Sequence, residues 1–262
     1  MRLKWMISIL VIATFLISVT AAAMLPAPAI DKGKGKANAN GLEKIVFIHY
    51  KKGFAKPPCN NNGVCEPELG EKKSCADCRN GGGGSKCYAF LGKGVKWKGL
   101  PVDYVIHPDL DAGAVSAGAE EWDSHTSADL FGSYTIDHSA TWDDDSPDGR
   151  NEMVFGDYPQ DGVIAVAIIW GYFYGPPKTR EIIEFDTLFD TDFAWGDATE
   201  DSTVMDLQNI ATHEIGHGAG LGDLYETACS EETMYGYSWE GDIQKRDLNT
   251  GDITGIQELY GA

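Results

Sequence analysis

The stretch His213–Asp223, which reads HEIGHGAGLGD, says most about how this chain folds and what it binds. Residues four apart on a helix share one face, so a helix here places His213 and His217 side by side. Two imidazoles at this spacing bind one Zn²⁺, and Glu214 between them can act as base for a metal-bound water. The stretch therefore predicts a zinc-binding helix that carries its own general base.

The residues after His217 extend this prediction. Gly220 is the glycine that commonly ends a helix in a left-handed turn. The chain can fold back there, so that Asp223 becomes a third ligand and the fourth metal position stays open for water, as in catalytic zinc sites. A surface helix with two solvated histidines is the alternative for the first five residues, and the extension to Asp223 argues against it.

Three segments carry a resemblance to a known family. His213–Asp223 resembles the elongated zinc-binding motif of the metzincin metalloproteases, H-E-x-x-H-x-x-G-x-x-H/D. Thr233–Gly236 is similar to their Met-turn, with Met234 as its methionine, and Asp252–Gly261 resembles the last helix of matrixin-type catalytic domains. Most matrixins have a third histidine where this chain has an aspartate, a variation that snapalysin-like bacterial proteases share.

The resemblance implies both a fold and an activity. The fold is the α+β metzincin (zincin) fold, a twisted, mostly parallel sheet with an active-site helix and a C-terminal helix. The activity is that of a zinc metalloendopeptidase acting on proteins or peptides, with Zn²⁺ held by His213, His217 and Asp223. Glu214 would take a proton from the attacking water and pass it to the leaving amine. Tyr235 would form a wall of the pocket for the residue after the scissile bond.

Two other functions remain open. One is a secreted, zinc-containing binding module without turnover, whose cysteine-rich segment carries the recognition. The other is a calcium-stabilised surface protein in which acidic patches do the binding.

Residues 1–23 have the pattern of a secretory signal peptide. Two basic residues, Arg2 and Lys4, precede an apolar run from Met6 to Val19, and three alanines follow. The run is short for a membrane span, which needs about 20 residues. We expect a secreted protein without stable membrane insertion, the alternative being an uncleaved segment that anchors it at the cell surface.

The chain is strongly acidic. Its net charge of −19 becomes −21 when the two basic residues of the signal segment are removed. This charge argues against nucleic acid as a partner and favours a soluble monomer and cation binding. Two groups of acidic residues are candidate Ca²⁺ ligands. The first group is Asp143–Asp145 together with Asp148, and the second is Asp186, Asp190 and Asp192. A solvated acidic surface is the alternative for both. Matrixins bind structural Ca²⁺, and the resemblance favours the second group.

Composition divides the rest of the N-terminal part into three segments. Residues 24–56 are interpreted as a linker or pro-segment that is polar at 31–40. Its short apolar run, Ile45–Ile48, is either a strand or an element of a pro-segment. Residues 57–80 form a small cysteine-rich module, and the glycines of residues 81–86 predict a flexible hinge before a catalytic domain at 87–262.

The six cysteines suggest an exported, disulfide-bonded chain. For Cys59, Cys65, Cys75 and Cys78 the favoured interpretation is disulfides of unknown connectivity. A structural zinc site using the C-x-x-C pair is an alternative. A cysteine switch is a third, but the matrixin switch sequence P-R-C-G is absent. A bridge between the remaining two, Cys87 and Cys229, would close a long loop and hold the start of the catalytic domain near the site.

Periodicity predicts the order of elements in residues 87–262. We expect strands at 104–106, 153–155, 163–170 and 180–185, a helix from Asp111 to Trp122, and a zinc-binding helix at 203–217 capped by Asp201 or Ser202. The other histidines, at positions 49, 107, 125 and 138, lie in unrelated segments and are interpreted as surface or core residues, with a second metal at His125 and His138 as the alternative.

Overall fold

A computed structural model describes residues 41–54 and 86–262 of the chain. The expected signal peptide, most of the expected linker or pro-segment, the cysteine-rich module with Cys59, Cys65, Cys75 and Cys78, and the glycine-rich hinge up to residue 85 lie outside the described residues. Within the described part, no helix has the length and apolar character that a membrane crossing requires.

One seven-stranded sheet forms the frame of the described residues. The strands of this part of the chain are β1 (Glu43–Lys51), β2 (Val102–Ile106), β3 (Phe131–Ile136), β4 (Glu152–Gly156), β5 (Val163–Tyr172), β6 (Glu181–Asp190), β7 (Trp195–Gly196), β8 (Met205–Asp206) and β9 (Tyr237–Ser238). The sheet has the order β3-β2-β4-β6-β5-β1-β9. Strands β2, β3, β4 and β6 run parallel, whereas β5 is antiparallel to both of its neighbours, β6 and β1. The predicted α+β class with a mostly parallel sheet is therefore confirmed.

Three helices accompany the sheet: α1 (Ala112–Ser124), α2 (Leu207–Gly218) and α3 (Thr250–Tyr260). As predicted, Asp111 caps α1, accepting hydrogen bonds from the backbone N–H groups of Gly113 (2.8 Å) and Ala114 (3.2 Å). Trp122 of α1 is buried, and its indole N–H donates to the backbone carbonyl of Thr212 in α2 at 2.8 Å. This bond fixes the two helices against each other.

The predicted start of the zinc-binding helix was wrong. Helix α2 begins at Leu207, and its N-cap is Asp206 rather than Asp201 or Ser202. The Asp206 carboxylate accepts from the Asn209 N–H at 2.8 Å and also pairs with the Arg246 guanidinium. The arginine partner lies far along the chain, so local sequence did not single out this aspartate.

The main hydrophobic core lies between the sheet and the helices. It joins inward-facing residues of β5 and β6, such as Ile169 and Phe185, to Trp122 of α1 and to Ile210 and Ile215 of α2. Strand β5 is buried along nearly its whole length, which agrees with its continuous apolar sequence. Strand β3, at the far edge of the sheet, was missed because most of its side chains are exposed.

Cys87 and Cys229 form a disulfide across a sequence separation of 142 residues. Their Cα atoms are 5.1 Å apart, within the usual range for such a bridge. The bridge ties the start of the predicted catalytic domain to the loop that follows Asp223, which confirms the predicted pairing.

Removing this bridge is expected to destabilise the domain. A loop of this length costs about 5 kcal/mol of chain entropy when closed, and measured losses for native disulfides run to about 2–5 kcal/mol. The Cys87→Ser, Cys229→Ser double variant should therefore lower the free energy of unfolding by an amount in that range, measured by urea denaturation. A loss indistinguishable from that of Ser230→Ala, beside the bridge, would contradict this role.

Candidate metal centre

Three ligand atoms converge at the C-terminal end of α2. The Nε2 atoms of His213 and His217 lie 3.2 and 3.4 Å from Oδ1 of Asp223. The three side chains are buried, and these three atoms have no hydrogen-bond partner within the described ranges. Zinc–nitrogen bonds of about 2.0–2.1 Å in tetrahedral geometry separate neighbouring ligand atoms by about 3.3–3.4 Å. The predicted ligands thus fit one Zn²⁺.

Gly220 brings Asp223 back to the helix. Its φ of +104° is a left-handed backbone conformation that other residues rarely adopt. A Cβ at this position would lie 2.6 Å from the carbonyl oxygen of Val95, so a side chain has no room either. Gly220 N–H donates to the His217 carbonyl at 2.9 Å, which closes the helix end as the sequence predicted.

The hydrogen bond that Nδ1 of each histidine makes determines which ring nitrogen carries the proton and which one faces the proposed metal position. Nδ1 of His213 donates to the Thr233 carbonyl at 2.7 Å, and Nδ1 of His217 donates to the Leu221 carbonyl at 3.0 Å. Each Nε2 therefore carries a free lone pair. Burial lowers the pKa of His213 to about 4, which keeps its imidazole neutral, the form that binds metals.

The residues of the predicted Met-turn pack against helix α2. Met234 is buried, and a Cβ on Gly216 would lie 2.3 Å from its sulfur, so the thioether packs directly against α2. Asp252 of α3 accepts hydrogen bonds from the N–H groups of Thr233 (2.6 Å) and Met234 (3.1 Å). Since the Thr233 carbonyl orients His213, α3 positions a predicted metal ligand through this turn.

Glu214 points into the site from α2 and is fully buried. Burial raises its pKa well above the ordinary value, with the charge of Asp223 as a second cause. Its Oε1 lies 3.0 Å from Nδ1 of His49, while Oε2 has no partner in the part of the chain that the structure describes. A buried carboxyl group with one free oxygen is suited to exchange a proton with a substrate or water.

His49 is buried, which agrees with its interpretation as a surface or core residue. The sequence did not predict its neighbours: strand β1 places its ring 4.0 Å from that of His213. Burial lowers its pKa well below the usual range, so it is neutral. Sequence reasoning missed its contact with Glu214 because it depends on pairing between distant strands. His125 instead pairs with Glu121 at 3.1 Å, and no convergent ligand group among the described residues contains it or His138.

Two tyrosines border the site. Tyr225, which sequence reasoning also missed, donates its hydroxyl hydrogen to Oδ2 of Asp223 at 2.8 Å, leaving Oδ1 to face the histidines. Tyr235, the expected pocket wall, is partly buried and packs beside a cluster that includes Tyr50, Val163 and Tyr237. It therefore lies next to the site, and its role in substrate binding stays a prediction.

The acidic residues that were predicted to bind one calcium ion do not all converge at one point in the structure. Oxygens of Asp190 and Asp192 converge with one of Asp157, and a second group combines Glu184 with Asp143 and Asp148. Asp186 is fully buried on β6; Oδ1 accepts from the Glu152 N–H at 3.0 Å, and Oδ2 has no partner within the described ranges. Burial raises the pKa of Asp186 to about 9 and that of Glu184 to about 7.

Comparison with known proteins agrees with this geometry. Residues 160–261, which include β5, β6, the zinc-binding helix, the Met-turn and α3, match the family model for matrixins. This part of the chain is similar to matrixins, which supports a matrixin-like metzincin domain there. The family match does not test the role of Asp223 as the third metal ligand, which stays a prediction.

Three relatives illustrate the extent of the likeness. Mouse (Mus musculus) stromelysin-1 is 41% identical over 80 residues, which are 30% of this chain and 16% of that protein. Human (Homo sapiens) matrilysin is 38% identical over 76 residues, 29% of this chain and 27% of its own length. The hatching enzyme of Paracentrotus lividus is 27% identical over 250 residues, 87% of this chain and 35% of its own length. The matched regions thus span only a minor part of these relatives.

Loss of the Tyr225 hydroxyl should weaken metal binding. Outer hydrogen bonds to metal ligands typically contribute about 10–100-fold in affinity. Tyr225→Phe is therefore expected to lower zinc affinity by about tenfold, measured by competition with a chromophoric chelator. Tyr174→Phe, at a position that is 69% exposed, is the matched control and should bind zinc like the parent. Equal affinities for both variants would show that the hydroxyl does not orient Asp223.

Proposed function

We propose that this protein is a secreted zinc-dependent endopeptidase that hydrolyses peptide bonds in proteins. The observation that carries the proposal concerns three buried atoms that have no hydrogen-bond partner within the described residues. The Nε2 atoms of His213 and His217 lie 3.2 and 3.4 Å from Oδ1 of Asp223, beside the buried carboxyl group of Glu214. Because the chain spans about 16–35% of the length of the three relatives described above, the activity of the whole protein rests on this local chemistry.

His213, His217 and Asp223 would hold the metal. Zinc, when bound there, polarises a carbonyl group and increases the acidity of water. Burial alone would raise the pKa of Asp223, but the imidazoles of His217 and His213 hold it well below its usual range. Asp223 is therefore ionised and brings one negative charge, which moderates the positive charge at the site. We infer that Glu214 consequently carries more of the proton transfer than it would in a site with three histidines.

Glu214 would act as both base and acid. It takes a proton from water as the water attacks the scissile carbonyl carbon, and it passes that proton to the leaving amine nitrogen. Its raised pKa, caused mainly by burial, suits both steps because the protonated carboxyl group is stable between them. The one Glu214 oxygen without a partner among the described residues is available for this exchange.

Residues 1–23 support export of the protein. Their basic start, apolar centre and small-residue end are those of a signal peptide, and the Cys87–Cys229 disulfide fits an oxidising compartment. Retention of this segment as a membrane anchor is the alternative, and N-terminal sequencing of the mature protein distinguishes the two.

We also propose a structural calcium ion at the carboxylates near Glu184. Glu184 accepts hydrogen bonds from the N–H groups of Asp148 (3.2 Å) and Gly149, and its carboxylate converges with those of Asp148 and Asp143. Asp186 lies on the same strand, and burial together with the neighbouring Glu184 raises its pKa to about 9, so a bound cation would favour its ionised form. Oxygen ligands of this kind suit Ca²⁺, which would offset their mutual repulsion.

Glu214→Gln tests the peptidase proposal. Glutamine keeps the shape of the side chain but cannot accept the proton, so turnover of denatured casein should fall by at least about a thousandfold while one zinc per chain is retained. Turnover is followed by release of soluble peptides and zinc content by atomic absorption.

The full-length parent and Glu214→Asp serve as controls. Glu214→Asp keeps a carboxylate as base but moves it back by one methylene group. Cleavage by Glu214→Gln at the parental rate would point to a contaminating protease and contradict the assigned base. A parent that binds zinc and peptides, yet shows no turnover even after proteolytic processing, would instead support a binding module.

Calcium removal should lower the stability of the protein. With EGTA the converging carboxylates of Glu184, Asp143 and Asp148 would repel one another without compensation, so the melting temperature should fall, and added Ca²⁺ should restore it. In the Glu184→Gln, Asp186→Asn double variant this Ca²⁺-dependent rise should be lost, whereas Asp161→Asn, on the surface, should keep it. Differential scanning calorimetry measures both effects, and an unchanged Ca²⁺ response in the double variant would contradict the site.

A further inference from the structure

Strand β1 lies across the candidate metal centre. It pairs antiparallel with β5 from Glu43 opposite Gly171 to Tyr50 opposite Val163, and its last two residues pair in parallel with β9. It thus fills the groove between β5 and β9 as an extended peptide. Peptides commonly bind proteins in this way, by adding a strand to an exposed sheet edge.

Two side chains of β1 enter the site from this groove. The Phe47 ring stacks on the His217 ring with 3.8 Å between centroids and an angle of 8° between planes. His49, two residues further on the same face, contacts His213 and lies 3.0 Å from Glu214. Both side chains are buried, whereas Val46, on the opposite face, is 41% exposed. The strand therefore directs its inward face at the two histidine ligands and at the proposed base.

The contacts of the strand occupy space that a substrate would need. The His49 ring engages Oε1 of Glu214, so a water cannot bind at this oxygen, and only Oε2 is without a partner among the described residues. Tyr50 packs with Val163, Tyr225 and Tyr237, next to the expected pocket wall Tyr235. An extended substrate that reaches Glu214 along β5 would need the space that β1 fills.

The strand also differs from the rest of the sheet in its connection. Residues 52–85, with a run of glycines at 81–84, separate β1 from the matrixin-like domain in sequence, whereas β2 to β6 follow one another within residues 102–190. Strand β1 can therefore leave its place without breaking the order of the remaining strands.

We propose that β1 is a displaceable internal occupant of the peptide-binding groove and keeps the enzyme latent, with His49 blocking Glu214. This inference rests on the proposed peptidase function. The chain has no P-R-C-G sequence whose cysteine could block the site. The proposal gives the blocking role to a histidine, His49. The competing interpretation is that β1 is a permanent strand of the sheet and that His49 only supports Glu214.

Amide hydrogen exchange and turnover, measured on the full-length chain, distinguish these interpretations. The proteins are the parent, His49→Ala and Val46→Ala, the last being the matched control on the exposed face of the same strand. Phe47→Ala, which removes the stack on His217 without touching Glu214, is the second test variant should His49→Ala fold poorly.

We expect residues 43–51 of the parent to exchange at a lower opening free energy than the central strand β6. His49→Ala should accelerate their exchange by about tenfold or more while β6 is unaffected, and Val46→Ala should resemble the parent. Turnover of a generic quenched-fluorescent peptide should rise by about tenfold or more in His49→Ala and remain at the parental level in Val46→Ala.

Concerted exchange of β1 and β6 in the parent and in every variant would overturn the proposal, because β1 would then open only with the whole sheet. Equal or lower turnover in His49→Ala, with active parent protein, would overturn it as well. Selective opening of β1 without turnover in any zinc-loaded variant would support the displaceable strand and make the peptidase function, not the occupancy, the part that fails.

Discussion

The structure depends on two imidazoles and one carboxylate held in a buried site around a position suited to a cation. In the metal-free protein such a cluster is unfavourable, since buried polar atoms without partners are poorly solvated. His213, His217 and Asp223 present such atoms to one point within the described part of the chain. A Zn²⁺ ion bound there would satisfy all three atoms at once, and metal binding would then stabilise the fold of this region.

Distant parts of the chain hold these ligands in place. The Thr233 carbonyl orients His213, and Asp252 of α3 holds the backbone of Thr233. Trp122 of α1 donates to the carbonyl of Thr212, one residue before the first ligand. The disulfide from Cys87 fixes the loop between Asp223 and the Met-turn. The C-terminal helix therefore matters to the metal site although none of its residues is a proposed ligand.

The sequence predicted local features well and distant contacts poorly. The spacing of His213 and His217, the turn at Gly220 and the cap at Asp111 follow from short-range geometry, and the structure has them. The true helix start at Asp206 depends on Arg246, far along the chain. The position of His49 depends on which strand edge β1 joins. A single sequence carries no direct signal for such pairing, although Phe47 and His49 share one face of an apolar strand.

Strand β1 has a further consequence because it belongs to the same chain as the site it fills. A segment of the same chain competes with free peptides at an effective concentration that depends on the length and stiffness of its connection. While the tether of residues 52–85 is intact, only ligands that bind well enough to outcompete it gain access. One cut within the tether would turn the strand into a separate peptide that can dissociate and dilute away. The Cys87–Cys229 bridge would keep the new N-terminus attached beside the metal site. A reversible competition would thereby become a single irreversible event.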